Sequence, residues 1–147
     1  MEKYNNNSIQ FIKKGKNNNA STFLIGITKA GELIFAVAKQ KGEKEGHPTF
    51  DYENKAVFYL SITEKARLIQ FLKGKENGEI KFPHLISKKP KNINFKRENE
   101  KVLLNIYLNN TKEAFNYSFN SEEIMILVMN LMDSLSLYKV HAIRKEK

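Results

Sequence analysis

The chain has 147 residues, a net charge of +9 and no cysteine, and 41% of its residues are hydrophobic. This length suits a single domain with a buried core over residues 1–147, and the hydrophobic fraction excludes a disordered chain. Without cysteine there is no disulfide framework and no thiolate zinc site, so a reducing compartment is expected.

The positive charge comes almost entirely from lysine, with 22 lysines against three arginines. Lysine is a compact point charge, whereas the planar arginine side chain reads guanine edges and grips phosphate with two hydrogen bonds. A lysine-rich surface therefore favours sequence-neutral attraction to a polyanion. The alternative is compositional, because 17 asparagines beside so many lysines are typical of an AT-rich genome.

The first half of the chain reads as a run of strands that ends in a helix. Apolar and polar residues alternate with the period of two that is typical of strands. After a polar tail, strands are predicted over Ser8–Lys13, Thr22–Lys29, Leu33–Lys39 and Val57–Ile62. A long polar connection is expected over Lys41–Asn54, and Thr63 is placed as the N-cap of a helix that ends at Lys73.

The second half repeats this order. Strands are predicted over Ile80–Phe82, Asn92–Arg97, Val102–Leu108 and Ala114–Phe119, with a basic loop over His84–Lys91. Asn120 and Glu123 have the spacing of a capping box, and they begin a helix that is apolar on most sides. Such a helix must be covered on most sides. With Asn130 and Asp133 inside it, the helix is too short and too polar to span a membrane.

The repeat defines the expected organisation of the chain. A shift of 57 residues places Phe58 on Phe115 and Thr63 on Asn120. Short turns between consecutive strands imply antiparallel sheets, and helices that follow runs of strands imply an α+β fold. We expect two ββββα units at 8–75 and 79–138 and a basic tail at 139–147. The two helices are expected to pack together in a pseudo-twofold arrangement that leaves the other sheet faces open.

Two such units in a small basic chain resemble the Whirly group of single-stranded nucleic-acid-binding proteins. They also resemble the coactivators of the positive-cofactor-four type, which have phage and bacterial relatives. The stretch 92–135, NINFKRENEKVLLNIYLNNTKEAFNYSFNSEEIMILVMNLMDSL, looks like one such unit. The resemblance covers nearly the whole chain but is one of topology. The Whirly lysine-glycine-lysine motif is not transferred, because Lys14-Gly15-Lys16 is followed here by asparagines.

The resemblance implies that single strands bind across the open sheet faces. Bases stack on aromatic rings, each ring worth roughly 1–3 kcal/mol, while lysines hold the phosphates. In the second unit, the residues that alternate with the core set are Asn94, Lys96, Asn105 and Tyr107. In the first unit the candidates are Phe23 or Phe35, with Lys29 and Lys39 at the strand ends. The basic rim is expected at Lys13, Lys14, Lys16, Lys88, Lys89 and Lys91. Core packing is the alternative for each aromatic residue, and a solvated face is the alternative for each lysine.

The signals for an enzyme are weak. His47, His84 and His141 are dispersed, and none has metal-ligand spacing to another ligand. The glycines do not form a phosphate-binding loop. Ser61 and Ser118 recur in both units, but they are interpreted as hydrogen-bonding residues at strand ends. We therefore expect no catalytic residues, no metal site and no cofactor.

The leading hypothesis is a sequence-non-specific single-stranded DNA-binding protein that acts in replication, recombination or transcription. RNA is the alternative ligand. The other hypotheses are a protein-interaction module that docks through its apolar helices and a small nuclease with an unrecognised site. A double-stranded-RNA-like or purine-rich-element-binding arrangement is the alternative fold. We expect no signal peptide, no membrane partner and a homo-oligomer formed through the helices. The expected location is the cytoplasm, at the nucleoid or in a phage-infected cell.

Overall fold

The structure is a computed structural model, and it describes residues 8–13, 20–27, 32–86, 89–108 and 114–136. Within these residues the fold is α+β, with two antiparallel sheets and two helices. The strands are β1 Ile9–Lys13, β2 Ser21–Ile27, β3 Leu33–Lys44, β4 His47–Phe50, β5 Ala56–Phe58, β6 Gly78–Ile86, β7 Lys89–Glu98, β8 Lys101–Leu108 and β9 Ala114–Phe119. The helices are α1 Ile62–Lys73 and α2 Ser121–Ser136. Neither of these two helices is long and apolar enough to cross a membrane.

The first sheet has the order β1-β2-β3, and β5 and β4 both pair with β3 at different points along its length. The predicted polar connection over 41–54 is wrong, because it contains the end of β3 and all of β4. Glu45 and Gly46 form a two-residue turn between these strands, and both have positive φ, 52° and 80°. Positive φ at both central residues is typical of the type I′ turn that joins hairpin strands.

The second sheet is a four-stranded meander in the order β6-β7-β8-β9. β6 is longer than the predicted strand, and its hairpin with β7 occupies most of the segment predicted as a basic loop. Pro83 lies inside β6, which pairs only with β7 among the described strands. A proline has no N–H to donate, so it is tolerated on the open side of such an edge strand.

The two helices begin with the same reciprocal pair of hydrogen bonds. At α2, Asn120 Oδ1 accepts from the Glu123 N–H at 2.8 Å, and Glu123 Oε1 accepts from the Asn120 N–H at 3.0 Å. This confirms the predicted capping box. At α1 the N-cap is Ser61, which forms the box with Glu64. The prediction of Thr63 as N-cap is wrong, because α1 already begins at Ile62 and the Ser61 hydroxyl accepts the Glu64 N–H that a cap must satisfy.

These caps change the alignment of the two halves. Ser61 and Asn120 are 59 residues apart, and the same shift carries buried Leu68 onto buried Leu127 and Leu72 onto Leu131. The shift of 57 predicted from sequence is therefore two residues short for the helices. The shift that aligns the strands differs from the one that aligns the helices, because β4 and its turns lengthen the first half. Phe58 follows its partner Phe35 by 23 residues, whereas Tyr117 follows its partner Leu104 by 13.

One hydrophobic core joins both sheets and both helices. α1 and α2 pack against each other, and β9 lies against β2 and β3. The rings of Phe23 and Phe119 meet edge to face between the two sheets, with centroids 4.9 Å apart. Such a pair adds about 0.5–1.5 kcal/mol beyond the burial of its area. The inner faces are therefore occupied by packing, and a binding site on a sheet must lie on an outer face or along an edge.

Candidate nucleic-acid interface

The outer face of the second sheet carries a polar row that crosses all four strands. The strand register places Asn94 of β7, Asn105 of β8 and Asn116 of β9 side by side, and Lys81 of β6 continues the row. We call the three asparagines the amide row. Neighbouring strands are about 4.8 Å apart, so the row with Lys81 spans about 14 Å. Alternate residues along the same strands, such as Phe95 and Leu104, are buried in the core.

Two further rows flank the amide row. On one side lie Glu79, Lys96, Leu103 and Ser118, and on the other lie Pro83, Asn92, Tyr107 and Ala114. Tyr107 and Leu103 are partly exposed and place apolar surface beside the amides. The four residues predicted for this face, Asn94, Lys96, Asn105 and Tyr107, therefore lie together on it.

The charge on this face is uneven. Lys96 Nζ lies 3.0 Å from Glu98, and Lys81 Nζ lies 3.5 Å from Glu79. A hydrogen bond and then the charge of Glu98 raise the pKa of Lys96, so this lysine stays protonated. All four side chains are well exposed, and exposed ion pairs are weak enough to exchange for a phosphate.

The end of the face at the β7–β8 turn is acidic. An open concavity there is lined by Glu98, Asn99, Glu100, Lys101, Leu103 and Ser118. Two carboxylates beside one lysine disfavour a polyanion at this end. The amide row and the β9 edge are therefore the better place for one.

Two predicted lysines of the first sheet reach the β9 edge. Lys13 Nζ lies 3.5 Å from the Ser118 carbonyl oxygen, and Lys39 Nζ lies 4.9 Å from the centroid of the Phe115 ring. Both lysines therefore lie at the β9 edge, the strand that also carries Asn116 of the amide row. The packing of β9 on the first sheet thus adds cations to one edge of the second sheet.

Phe23 and Phe35 are corrected from base-stacking candidates to core residues. They are 0% and 1% exposed, and their rings stack on each other with centroids 5.8 Å apart. Their direction was ambiguous in the sequence because β2 and β3 are apolar on both faces. Leu24 and Ile34, which point to the opposite face, are buried as well. These two positions therefore offer no ring to a ligand.

The remaining predicted positions are not placed by the structure. Lys14, Lys16, Lys29 and Lys88 lie outside the described residues. Lys89 and Lys91 are in the β7 backbone, but their side chains are outside the description. Their part in the predicted basic rim stays a prediction.

Sequence reasoning missed two members of the site, Lys81 and Asn116. The signal was present in both cases. Lys81 alternates with Ile80 and Phe82, and Asn116 alternates with Phe115 and Tyr117. The same period of two that selected Asn94 and Asn105 therefore selects them.

Few other side chains in the described part of the chain point to catalysis or metal binding. Within it no three side chains of the His, Asp or Glu type are grouped so that they could hold a metal ion. His47 is exposed on β4, beside the turn at Gly46. Ser61, which the sequence suggested as a hydrogen-bonding residue at a strand end, is the N-cap of α1.

No family model matches the chain, and no curated protein matches it. Among solved structures, the chain is similar to one from the crystal structures of Trypanosoma brucei MRP1/MRP2. The TM-score is 0.62, and the similarity covers 88% of this chain and 83% of that one. The sequences are only 13% identical, so the likeness shows the fold alone.

Proposed function

We propose that this protein binds single-stranded nucleic acid without sequence specificity, with DNA as the first ligand and RNA as the alternative. The proposal rests on the arrangement of side chains on the outer face of the β6–β9 sheet. There the amide row and Tyr107 lie between Lys81 at one edge and Lys13 and Lys39 at the other. The protein acts as a binding protein rather than an enzyme, in replication, recombination or transcription.

The shape and charge of this face suit a single strand. A flat sheet face admits splayed bases, which can stack on Tyr107, while lysines at the edges meet the phosphates. A duplex would expose only its backbone to a flat face, and direct readout of duplex sequence needs an element inserted into a groove. The small number of arginines fits binding that does not depend on sequence.

The organisation of the chain supports a Whirly-like or positive-cofactor-four-like origin for this site. Both halves place a capped helix directly after a core strand, and the buried leucines of the helices match at a shift of 59 residues. We take the halves as two ββββα units in a pseudo-twofold arrangement, with β4 as an addition to the first. In this view only the second unit keeps a polar outer face.

A second copy of the chain is the proposed partner of the helices. Met125 and Met129 on α2 are 65% and 57% exposed, and Ile126 and Met132 extend this apolar surface. α2 has three acidic residues and no basic one, while α1 exposes Arg67 and Lys73 beside it. Across a two-fold axis the acidic, apolar α2 of one copy can meet the basic α1 of the other.

Fluorescence anisotropy with a labelled oligonucleotide of about thirty nucleotides tests the binding function, since a site of this kind covers several nucleotides. We expect tighter binding to single-stranded DNA than to duplex. The logarithm of the affinity should fall with the logarithm of salt by about 0.7 for each phosphate contacted. Equal or tighter binding to duplex, or no binding at low salt, would overturn the proposal.

Variants locate the site. Lys39→Ala and Lys81→Ala should each weaken binding and lower the salt slope by about 0.7, because each removes one phosphate contact. Lys44→Ala is the matched control, since it removes an equal charge from the exposed β3–β4 hairpin. If Lys44→Ala weakens binding as much as the other two, the face of the second sheet is not the site.

A further inference from the structure

The amide row contains an acceptor that lacks a donor. Asn94 Oδ1 is buried and accepts no hydrogen bond from any described residue. Each asparagine side chain has one acceptor oxygen and two N–H donors, and native proteins leave few such buried groups unpaired. Asn94 as a residue is only partly buried, so a ligand on the outer face can approach this side chain. The missing partner is a hydrogen-bond donor.

The need for a hydrogen-bond donor distinguishes the bases of a polynucleotide from its phosphates. Phosphate oxygens are acceptors, so they can use the N–H groups of the amide row but leave the Asn94 oxygen unpaired. The amino and imino N–H groups of unpaired bases are donors, and each base also carries acceptors on the same edge. A primary amide, with donor and acceptor side by side, pairs with such an edge through two hydrogen bonds.

The position of the row agrees with contact to bases. Asn94 and Asn105 lie on the two central strands, between Lys81 on β6 and the lysines at the β9 edge, and are flanked by the partly exposed Leu103 and Tyr107. Phosphates held at the two edges leave the middle of the face for the bases. In a duplex the Watson–Crick edges are already paired and cannot supply the donor.

We infer that the amide row hydrogen-bonds the edges of unpaired bases, so that the protein recognises single strands by their unpaired bases as well as by their charge. This inference rests on the proposed function and specifies how its site excludes duplexes. The other source of a donor in the same ligand class is the ribose 2′-hydroxyl of RNA. The experiment therefore compares DNA with RNA.

The test measures the affinity of the full chain for four labelled oligomers of equal length. They are single-stranded DNA, the same DNA backbone without bases, single-stranded RNA and duplex DNA. We expect the wild type to bind the base-containing single strand about tenfold more tightly than the abasic one, which corresponds to about 1.4 kcal/mol. The double variant Asn105→Ala/Asn116→Ala should lose part of this difference, with stacking on Tyr107 supplying the rest, while its salt slope stays the same.

Two controls keep the result interpretable. Asn54→Ala removes an exposed amide from the connection before β5, outside the β6–β9 sheet, and should leave all four affinities unchanged. Asn94→Leu removes the unpaired acceptor at similar volume, so it should lower the preference for bases without lowering the thermal stability of the free protein. A preference for bases that is undiminished in both amide variants would overturn the inference.

The remaining outcomes separate the two claims. If the wild type binds abasic and base-containing DNA equally, the inference fails while the proposed function stands on phosphate contacts. If the amide variants lose affinity for RNA but not for DNA, the donor is the 2′-hydroxyl and the base-edge assignment is wrong. If no single strand binds the wild type, the proposed function itself fails.

Discussion

At the scale of single residues, Tyr117 connects the last strand to the last helix. Its hydroxyl donates to Glu123 Oε2 at 2.5 Å, while the other oxygen of Glu123 accepts the Asn120 N–H of the helix cap. The tyrosine ring is 1% exposed and packs edge to face on Phe119, with centroids 4.9 Å apart. One carboxylate thus serves both the start of α2 and the buried end of β9.

Removing only this hydroxyl should destabilise the fold. Tyr117→Phe leaves the ring in the core but deletes a hydrogen bond to a carboxylate, so we expect the free energy of unfolding to fall by about 2 kcal/mol. Urea denaturation at neutral pH measures this. Tyr107→Phe, which removes a hydroxyl from the outer face, is the matched control and should change stability by less than about 0.5 kcal/mol. Equal losses in the two variants would argue against the role of the Glu123 contact.

The same contact predicts a dependence on alkaline pH. Burial first, and then the hydrogen bond and charge of Glu123, raise the pKa of Tyr117 well above its usual range. The folded state therefore keeps the phenol proton at a pH where the unfolded state has lost it. The stability that depends on this proton is complete below about pH 10 and is lost as pH rises further, by up to about 1.4 kcal/mol per pH unit. Above about pH 10, the free energy of unfolding should fall more steeply with pH for the wild type than for Tyr117→Phe. Parallel declines would contradict the assignment.

Among the contacts between elements, Arg97 of β7 links the second sheet to α1 by hydrogen bonds. Its guanidinium group donates to the carbonyl oxygens of Phe71 and Leu72 at 2.8 and 2.7 Å, at the end of the helix. Arg97 is 6% exposed, and its position on β7 faces the core. A cation at the helix C-terminus also meets the favourable end of the helix dipole.

Arg97→Lys should therefore be costly although it keeps the charge. Lysine cannot reach two carbonyl groups with one planar fork, so we expect a loss of about 2 kcal/mol in the free energy of unfolding. Arg67→Lys is the control. Arg67 is exposed and lies over the Phe82 ring at 5.3 Å, a contact worth about 0.5–1 kcal/mol at such a site. A smaller loss for Arg97 than for Arg67 would show that the carbonyl contacts matter little.

The helix caps give a test of where α1 begins. Ser61→Ala and Asn120→Ala should each cost about 1 kcal/mol, because each removes the side-chain acceptor of a capping box. Thr63→Ala, at the N-cap position predicted from sequence, should change stability by less than about 0.5 kcal/mol. Urea denaturation of the three variants decides between the positions. A larger effect at Thr63 than at Ser61 would move the helix start by two residues.

The elements also show what a single sequence can and cannot predict. β8 could be predicted as a half-buried strand because core residues such as Val102 and Leu104 alternate with partly exposed Leu103, Asn105 and Tyr107. The same alternation on β7 and β8 identified Asn94, Lys96, Asn105 and Tyr107. β2 and β3 are apolar on both faces, so their inward side could not be chosen and the phenylalanines were misplaced. β4 was missed because a hairpin rich in lysine and glutamate has no apolar period.

At the scale of the whole molecule, the site depends on packing between distant parts of the chain. Lys13 and Ser118 are 105 residues apart in sequence, yet the lysine reaches the Ser118 carbonyl group at the β9 edge. Lys39 and Phe115 meet in the same way. No local pattern predicts how two sheets are placed against each other, because their relative position follows from the shared core. The lysines of the first sheet could be named from sequence, but not their position at the β9 edge.

The apolar surface of α2 predicts an assembly of copies. Burying Met125 and Met129 against a second copy removes apolar area from water, while the net charge of +9 on each copy opposes contact. Salt screens this repulsion and the attraction between acidic α2 and basic α1 alike, so variants are compared at one fixed ionic strength. Sedimentation velocity over a concentration series should show more than a monomer for the wild type. It should show a weakened assembly for Met125→Lys/Met129→Lys, which brings new positive charge towards the basic α1 of the second copy.

The matched control for this prediction is Ile12→Lys. Ile12 is 51% exposed on β1, away from the helices, so a lysine there adds charge without touching the proposed interface. Its assembly should remain close to that of the wild type. If Ile12→Lys weakens the assembly as much as the methionine variants, net charge alone controls association and α2 is not the interface. A wild type that stays monomeric at all concentrations and at high salt would remove the second copy as the partner of the helices.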